Sequence, residues 1–357
     1  MPSMTSLERT FTTIRHGIPD RVPVALHNFL ATIRYAGFPL GAALRDGEML
    51  AEAQLKFWKD FRQDVIMLEN GVIAEAAACG SVAAFSDEQP ARIVEHILAG
   101  GLEGIDQLEV PDPNTAFPMC EVIKATRILA REVGQEVFIM GRADQGPAAL
   151  AAALRGWETL IMDMMSNQQP ELVQKLLDFC VKVQGRYMAA LREAGAHGTA
   201  TGEAGVDIIG PRLFRKFAHP QDCKMIPSVG SLDFPVALHI CGDSTAILGE
   251  MVSTGAQILE LDYKTDMLVA KEKLRGRCTF LGPVNPELVW AGPTAEIEEA
   301  TRQAIEILAP GGELILGAGC ALGYNTPFDH IHTLVETAWK YGRYQSDGTL
   351  VASFPSD

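Results

Sequence analysis

Two short stretches of the chain carry residue types suited to holding a transition metal. His239 and Cys241 close the apolar run PVALHIC, and Cys320 closes ELILGAGC. On an extended strand, residues i and i+2 share a face, so His239 and Cys241 project together. One imidazole and two thiolates form a ligand set that zinc prefers in a tetrahedral shell. Three protein ligands with an open fourth position mark a catalytic site, and four mark a structural one. The same residues also suit a packed histidine beside buried thiols, the ordinary state of free cysteine. The two cysteines lie far apart in sequence. A shared metal therefore requires a fold that brings the ends of distant strands to one place.

The pattern of the chain predicts such a fold. Apolar, strand-like runs fall at 22–27, 64–70, 136–142, 235–241, 257–262, 278–284 and 313–320, and TATGEAG reads as a further strand end or loop. Amphipathic helical runs separate them, at 47–61, at about 124–134, at 149–166, at 170–195, at 211–230 around a break at Pro220, at 243–255 capped by Asp243 or Ser244, at 266–276, at 293–312 and at 326–344. In the last of these Thr326 is the expected N-cap and Pro327 the first helical residue. Alternating strands and helices mean βα units and a parallel sheet. About eight units favour a single (β/α)8 barrel over 1–357 with an N-terminal helical extension, although pattern alone leaves an open doubly wound sheet possible. Neither a GxGxxG after the first strand nor a GxxxxGK[ST] is present, which removes the usual support for nucleotide binding.

In such barrels chemistry sits at the C-terminal ends of the strands. Besides the metal candidates, those ends supply His27 and Asn28, then Arg142, Asp144 and Gln145, then Glu203, Glu260, Asp262 and Asn285. All are candidates for contacting substrate or for capping loops across the barrel mouth. Arg142 is the expected partner of an anionic substrate group, and Asn285 could equally set a turn.

With 47% apolar residues, the chain can bury a large core. Its net charge of −15 argues against a nucleic-acid partner, which needs a positive footprint. The absence of a long apolar stretch and of an apolar leader predicts no membrane span and a cytoplasmic location. Seven cysteines, widely spaced and without a CxxC pair, predict reduced thiols.

The stretches LHICGDSTAILGEMVSTGAQILELD, FLGPVNPELVWAGPTAEIEE and LILGAGCALGYNTPFDHIHTLVETAWKYGRY resemble the uroporphyrinogen decarboxylase superfamily. More narrowly they resemble its corrinoid-dependent branch, of the methylcobamide:coenzyme M methyltransferase type. The resemblance is strongest over 200–345. It implies a catalytic zinc held by His239, Cys241 and Cys320. It also implies methyl transfer between methylcobalamin, carried by a separate corrinoid protein, and a small thiol or methylated molecule. A resemblance to cobalamin-independent methionine synthase, in which a glutamate ends the next strand, makes Asp262 a fourth-ligand candidate. Glu75 loosely resembles a pocket glutamate of the superfamily. The strand-end candidates for contacting the substrate are His27, Asn28, Arg142, Asp144, Gln145, Glu203 and Asn285. Decarboxylases of the superfamily carry an arginine-rich RQAGR-like segment near the N-terminus. The corresponding HNFLATIRYAG keeps only Arg34, so a polycarboxylate tetrapyrrole would lack its clamps. A decarboxylase-like lyase and a barrel with a structural zinc are the alternatives.

Overall fold

The computed structural model describes residues 3–351. Eight parallel strands form the centre: β1 Ala25–Leu26, β2 Val65–Leu68, β3 Phe138–Gln145, β4 Gly198–Gly202, β5 Val236–Ile240, β6 Ile258–Leu261, β7 Thr279–Val284 and β8 Leu314–Ala318. Each pairs with its neighbour in sequence. Val24 bridges to Leu316, whose amide donates to the Pro23 carbonyl at 2.8 Å, and this contact closes the barrel. At that seam a side chain at Gly317 would meet the Ala25 carbonyl at 2.2 Å, so only glycine permits the approach. The fold is the (β/α)8 barrel that the alternation predicts.

Period-two alternation divides the strand residues into two cores. Ala25, Val65, Met67, Phe138, Met140, Ala200, Ala237, Ile258, Leu281 and Ile315 fill the interior with Ile14. Leu26, Ile66, Leu68, Leu238, Leu259, Phe280 and Leu316 face outward into the helical layer. Truncating a filler such as Leu281 to Ala would cost about 2–5 kcal/mol. The interior is packed, so ligands can enter only above it.

The expected N-terminal extension is the helix Ser6–Ile14, started by a capping box between Thr5 and Glu8. Leu7 and Phe11 pack beneath the interior cluster, so the helix plugs the bottom of the barrel. Arg9 holds it there through ion pairs to Asp20 and Asp64, both at 2.6 Å.

Several boundaries differ from expectation. The first strand shrinks to β1 because Pro23 has no N–H to donate to a ladder. The run at 149–166 belongs to two helices, Pro147–Arg155 and Trp157–Ser166, broken at Gly156 with φ +90°. The expected break at Pro220 lies upstream. A wide π-helical turn spans Phe214–Ala218, and Pro220 sits in the first turn of His219–Val229, where its missing N–H costs nothing. The run at 243–255 is a 3-10 turn, Thr245–Ile247, followed by Leu248–Ser253. Asp243 accepts from the Thr245 amide at its start. Thr326 is not a cap: the last helix is Phe328–Tyr341, with Pro327 extended at the N-cap position. The irregular region between β2 and β3 contains a hairpin of Val82–Ala84 and Arg92–Glu95.

Candidate functional site

The alternation that fills the interior also builds the site. Two residues beyond the inward Ala25, Met67, Met140, Ala237 and Ile258 come His27, Glu69, Arg142, His239 and Glu260. One layer of polar side chains thus lies on the last apolar layer. Gly202, His239 and Glu260 are paired across adjacent strands. Gly202 adds no bulk there: a Cβ would press on the Asp144 main-chain carbonyl at 2.9 Å and stand 4.0 Å from both Asp144 Oδ1 and His239 Cβ.

His239, Cys241 and Cys320 converge. Their ligand atoms lie within 4.8 Å of one another, and His239 Nε2 is 3.3 Å from Cys241 Sγ. Gly319 makes the approach of Cys320 possible, since a Cβ there would lie 2.5 Å from the Tyr263 amide. His239 Nδ1 is 3.0 Å from the main-chain carbonyl of Glu260. A carbonyl only accepts, so Nδ1 carries the proton and Nε2 turns to the sulfurs. This second contact is the usual one for fixing a metal-binding imidazole. The hydrogen bond from Cys241 lowers the Cys320 thiol to about 4, with His239 assisting against burial. The same bond, and burial, raise Cys241. Burial disfavours a charge on His239, but Glu260 and Cys320 outweigh it and raise the imidazole to about 9. A divalent metal bound here would displace the protons on Nε2 and Cys241.

A second cluster lies beside this one. His27, Glu69 and Asp144 also place ligand atoms within 4.8 Å of each other. His27 Nδ1 lies 3.1 Å from Glu260 Oε1, and its Nε2 lies against Glu69 Oε1. Both neighbours are acceptors, so the ring is an imidazolium. Burial and Arg142 oppose that charge, yet Glu69 and Glu260 hold His27 up to about 10. Arg142 donates to Glu260 Oε2 at 2.8 Å and to Asp144 Oδ1 at 2.9 Å. Burial would raise Glu260, but Arg142, His239 and His27 hold it well below the usual carboxylate range. Burial and the nearby Glu69 raise Asp144 to about 6.

Both clusters line one cavity of about 150 Å³. Phe29, Leu30, Val72, Pro90 and Ala91 supply its apolar wall. Pro90 and Ala91 come from the hairpin region, so that irregular segment roofs the site.

The remaining expected contacts are engaged with the protein's own groups or lie outside the cavity wall. Glu203 is fully buried and accepts from the Ala148 and Ala149 amides at 3.1 and 2.7 Å. It holds the N-terminus of Pro147–Arg155. Asn285 caps Pro286–Ala291 by accepting from the Glu287 amide at 2.9 Å. Gln145 donates to the Val72 carbonyl at 2.7 Å, tying down a loop. Asn28 is fully buried and outside the cavity wall, with no hydrogen bond to its side-chain amide among the described residues. Arg142 lines the cavity, but its guanidinium is bonded to carboxylates and is not free to clamp an anion. The Asp262 carboxylate accepts from the Gly242 and Lys264 amides, both at 2.9 Å, and is not grouped with the three converging ligands. It shapes the loop after Cys241. Glu69 was absent from the expected set. The signal was available, because it follows the inward Met67 by two residues.

Comparison with known proteins agrees with this architecture. The chain is 26% identical over 349 residues to methylcobamide:CoM methyltransferase MtbA of Methanosarcina acetivorans, covering 96% of this chain and 99% of that protein. It is 24% identical over 297 residues to a uroporphyrinogen decarboxylase of a Synechocystis species, covering 82% and 83%. A solved methyltransferase structure from Methanosarcina mazei superimposes with a TM-score of 0.85 at 23% identity, covering 94% of this chain and 98% of that one, which attests the fold. The profile of the uroporphyrinogen decarboxylase (URO-D) family matches residues 5–341. The chain belongs to the uroporphyrinogen decarboxylase (URO-D) family.

Proposed function

We propose that this enzyme is a zinc-dependent methyltransferase that moves a methyl group from a methylcobamide, carried by a partner corrinoid protein, to a small thiol. The observation that carries the reading is the convergence of His239, Cys241 and Cys320, with Nε2 freed by the Glu260 carbonyl. The donor set fits zinc: one neutral imidazole nitrogen and two sulfurs at a strand end, above a packed interior. Zinc bound there would keep a substrate thiol as thiolate at neutral pH, and two anionic sulfurs would leave that thiolate nucleophilic. The partner's methylcobamide would supply the methyl group, its cobalt–carbon bond giving way with the electron pair left on cobalt as the substrate's sulfur–carbon bond forms.

The chain's own residues prepare the site. The wall of Phe29, Leu30, Val72, Pro90 and Ala91 keeps water from the thiol, which preserves its nucleophilicity. The bonded network of His27, Glu69, Arg142 and Glu260 fixes the floor, so the ligands are held before substrate arrives. Asp262 holds the loop that follows Cys241.

Decarboxylation of a tetrapyrrole is disfavoured by the same geometry. The cavity of about 150 Å³ is small beside the roughly 300–1,000 Å³ of pockets for drug-sized ligands. Of the basic residues that line it, Arg142 and His27 are already matched by carboxylates and His239 faces the cysteine sulfurs.

The test is methylcobalamin demethylation by a small thiol, with zinc content measured on the same samples. Cys320→Ala should lose both zinc and activity while remaining folded. Full activity in that variant would remove the metal from the mechanism.

A further inference from the structure

The charges of the network formed by the cavity wall and by Glu260, buried behind it, do not balance. Glu69, Asp144 and Glu260 are three carboxylates, and the cations facing them are His27 and Arg142. Both ring nitrogens of His27 and all the contacts of Arg142 go to these carboxylates. Glu260 uses both oxygens, one on each cation. Asp144 uses only Oδ1, and Glu69 only Oε1. Among the described residues no cation or main-chain N–H donates to Asp144 Oδ2 or Glu69 Oε2, and the two carboxyl groups can hydrogen-bond only each other there, when one of them is protonated. The Asp144 side chain is 8% exposed, and it lines the cavity. Once ionised, Asp144 is therefore a buried carboxylate with one oxygen that no cation or main-chain N–H reaches, beside a second carboxylate that repels it. Among the described residues the cavity wall offers no free cation for an anionic substrate group: His27 and Arg142 are held by carboxylates, and His239 turns to the cysteine sulfurs.

We infer that the thiol substrate carries an ammonium group, and that Asp144, backed by Glu69, receives it within the cavity that the metal ligands line. This rests on the methyl-transfer reading and adds the substrate class to it. A cation placed there supplies the missing charge and the missing donors together, and charge-assisted hydrogen bonds are the strong ones. A sulfonate or carboxylate in the same position would face carboxylates whose countercharges are already engaged. The small volume limits the spacer between sulfur and nitrogen to a few atoms. Gly202, between Asp144 and His239, leaves that path clear.

The experiment uses the zinc-loaded protein and three two-carbon thiols: 2-aminoethanethiol, 2-mercaptoethanol and 2-mercaptoethanesulfonate. Binding is measured by calorimetry without corrinoid, and methylcobalamin demethylation is measured as kcat and KM. The expected order is ammonium, then hydroxyl, then sulfonate, with about ten- to a hundred-fold in affinity between the first and last. Asp144→Asn keeps an oxygen for Arg142 and removes the charge. It should collapse the ammonium preference through KM, and the residual order then reports only intrinsic thiol differences. Equal or tighter binding of the sulfonate overturns the inference and leaves the methyl-transfer reading standing. An unchanged ammonium preference in zinc-replete Asp144→Asn also overturns it. So does a second metal equivalent that disappears in this variant, because the acidic pair would then hold a metal ion. Should Asp144→Asn fail to fold, the unmutated protein's thiol order decides alone. Failure of every thiol to bind or to be methylated overturns the methyl-transfer reading itself.

Discussion

The Nδ1 of His239 lies 3.0 Å from the main-chain carbonyl of Glu260, the residue paired with it across β5 and β6. Glu260 therefore serves two clusters. Its backbone orients the imidazole toward Cys241, and its carboxylate binds Arg142 and His27. The two roles separate by mutation, because a side-chain change leaves the carbonyl in place. Glu260→Gln should destabilise the fold by about 3–5 kcal/mol, the cost of breaking a buried ion pair. It should still bind zinc in full. Denaturant unfolding and metal analysis on the same preparation check both halves.

The three metal-ligand candidates should act as a unit. About one zinc per chain is expected in the unmutated protein, and a large loss in each of His239→Ala, Cys241→Ala and Cys320→Ala. The ligands stand on a barrel whose interior packs below them, so chelation should leave far-UV circular dichroism unchanged while activity disappears. Collapse of the fold on chelation would mark the metal as structural.

Glu203 and Asn285 should affect stability and leave substrate handling alone. Asn285→Ala removes a helix cap and should cost about 1 kcal/mol. Glu203→Ala leaves two buried amides without their acceptor and should cost about 1–3 kcal/mol for each donor left unpaired. KM for the thiol should stay the same in both, once assays are run well below the melting temperature. A selective rise in KM with unchanged melting would return either residue to the substrate site.

Stability should fall as pH rises from about 6 to 9. Burial raises Glu75 to about 8, although its Oε1 accepts from the Gln145 amide and Gln184 Nε2. Its folded pKa thus exceeds the unfolded one, so the native state binds more protons between about pH 4.5 and 8, and stability declines as pH climbs through that window. His27 adds the same sign. Its stabilisation is complete below its ordinary value of 6.5 and is lost as pH approaches about 10. Glu75→Gln should flatten the slope by up to about 1.4 kcal/mol per pH unit below pH 8. Melting curves across that range would show it, and an unchanged slope would assign the dependence to other groups.

The sequence by itself determined a good deal. Alternation of apolar runs and amphipathic helices specified βα units and a parallel sheet and favoured the barrel, because period 2 and period 3.6 are written in residue order. Strand ends located His27, Arg142, His239 and Glu260 for the same reason, and HxC placed two ligand candidates on one face. Only tertiary structure decided how those residues pair. Closure between Val24 and Leu316 completes the ring that brings Cys320 to Cys241. Arg142 looked like an anion clamp because a lone guanidinium at a strand end is one. Glu260 and Asp144, from other strands or further along its own, engage it first. Glu203 looked like a mouth residue, yet the helix beginning at Pro147 presents two amides to it. Residue types and strand positions are local properties that a sequence can carry. Which charges neutralise one another depends on distances across the barrel, and only the folded chain sets those.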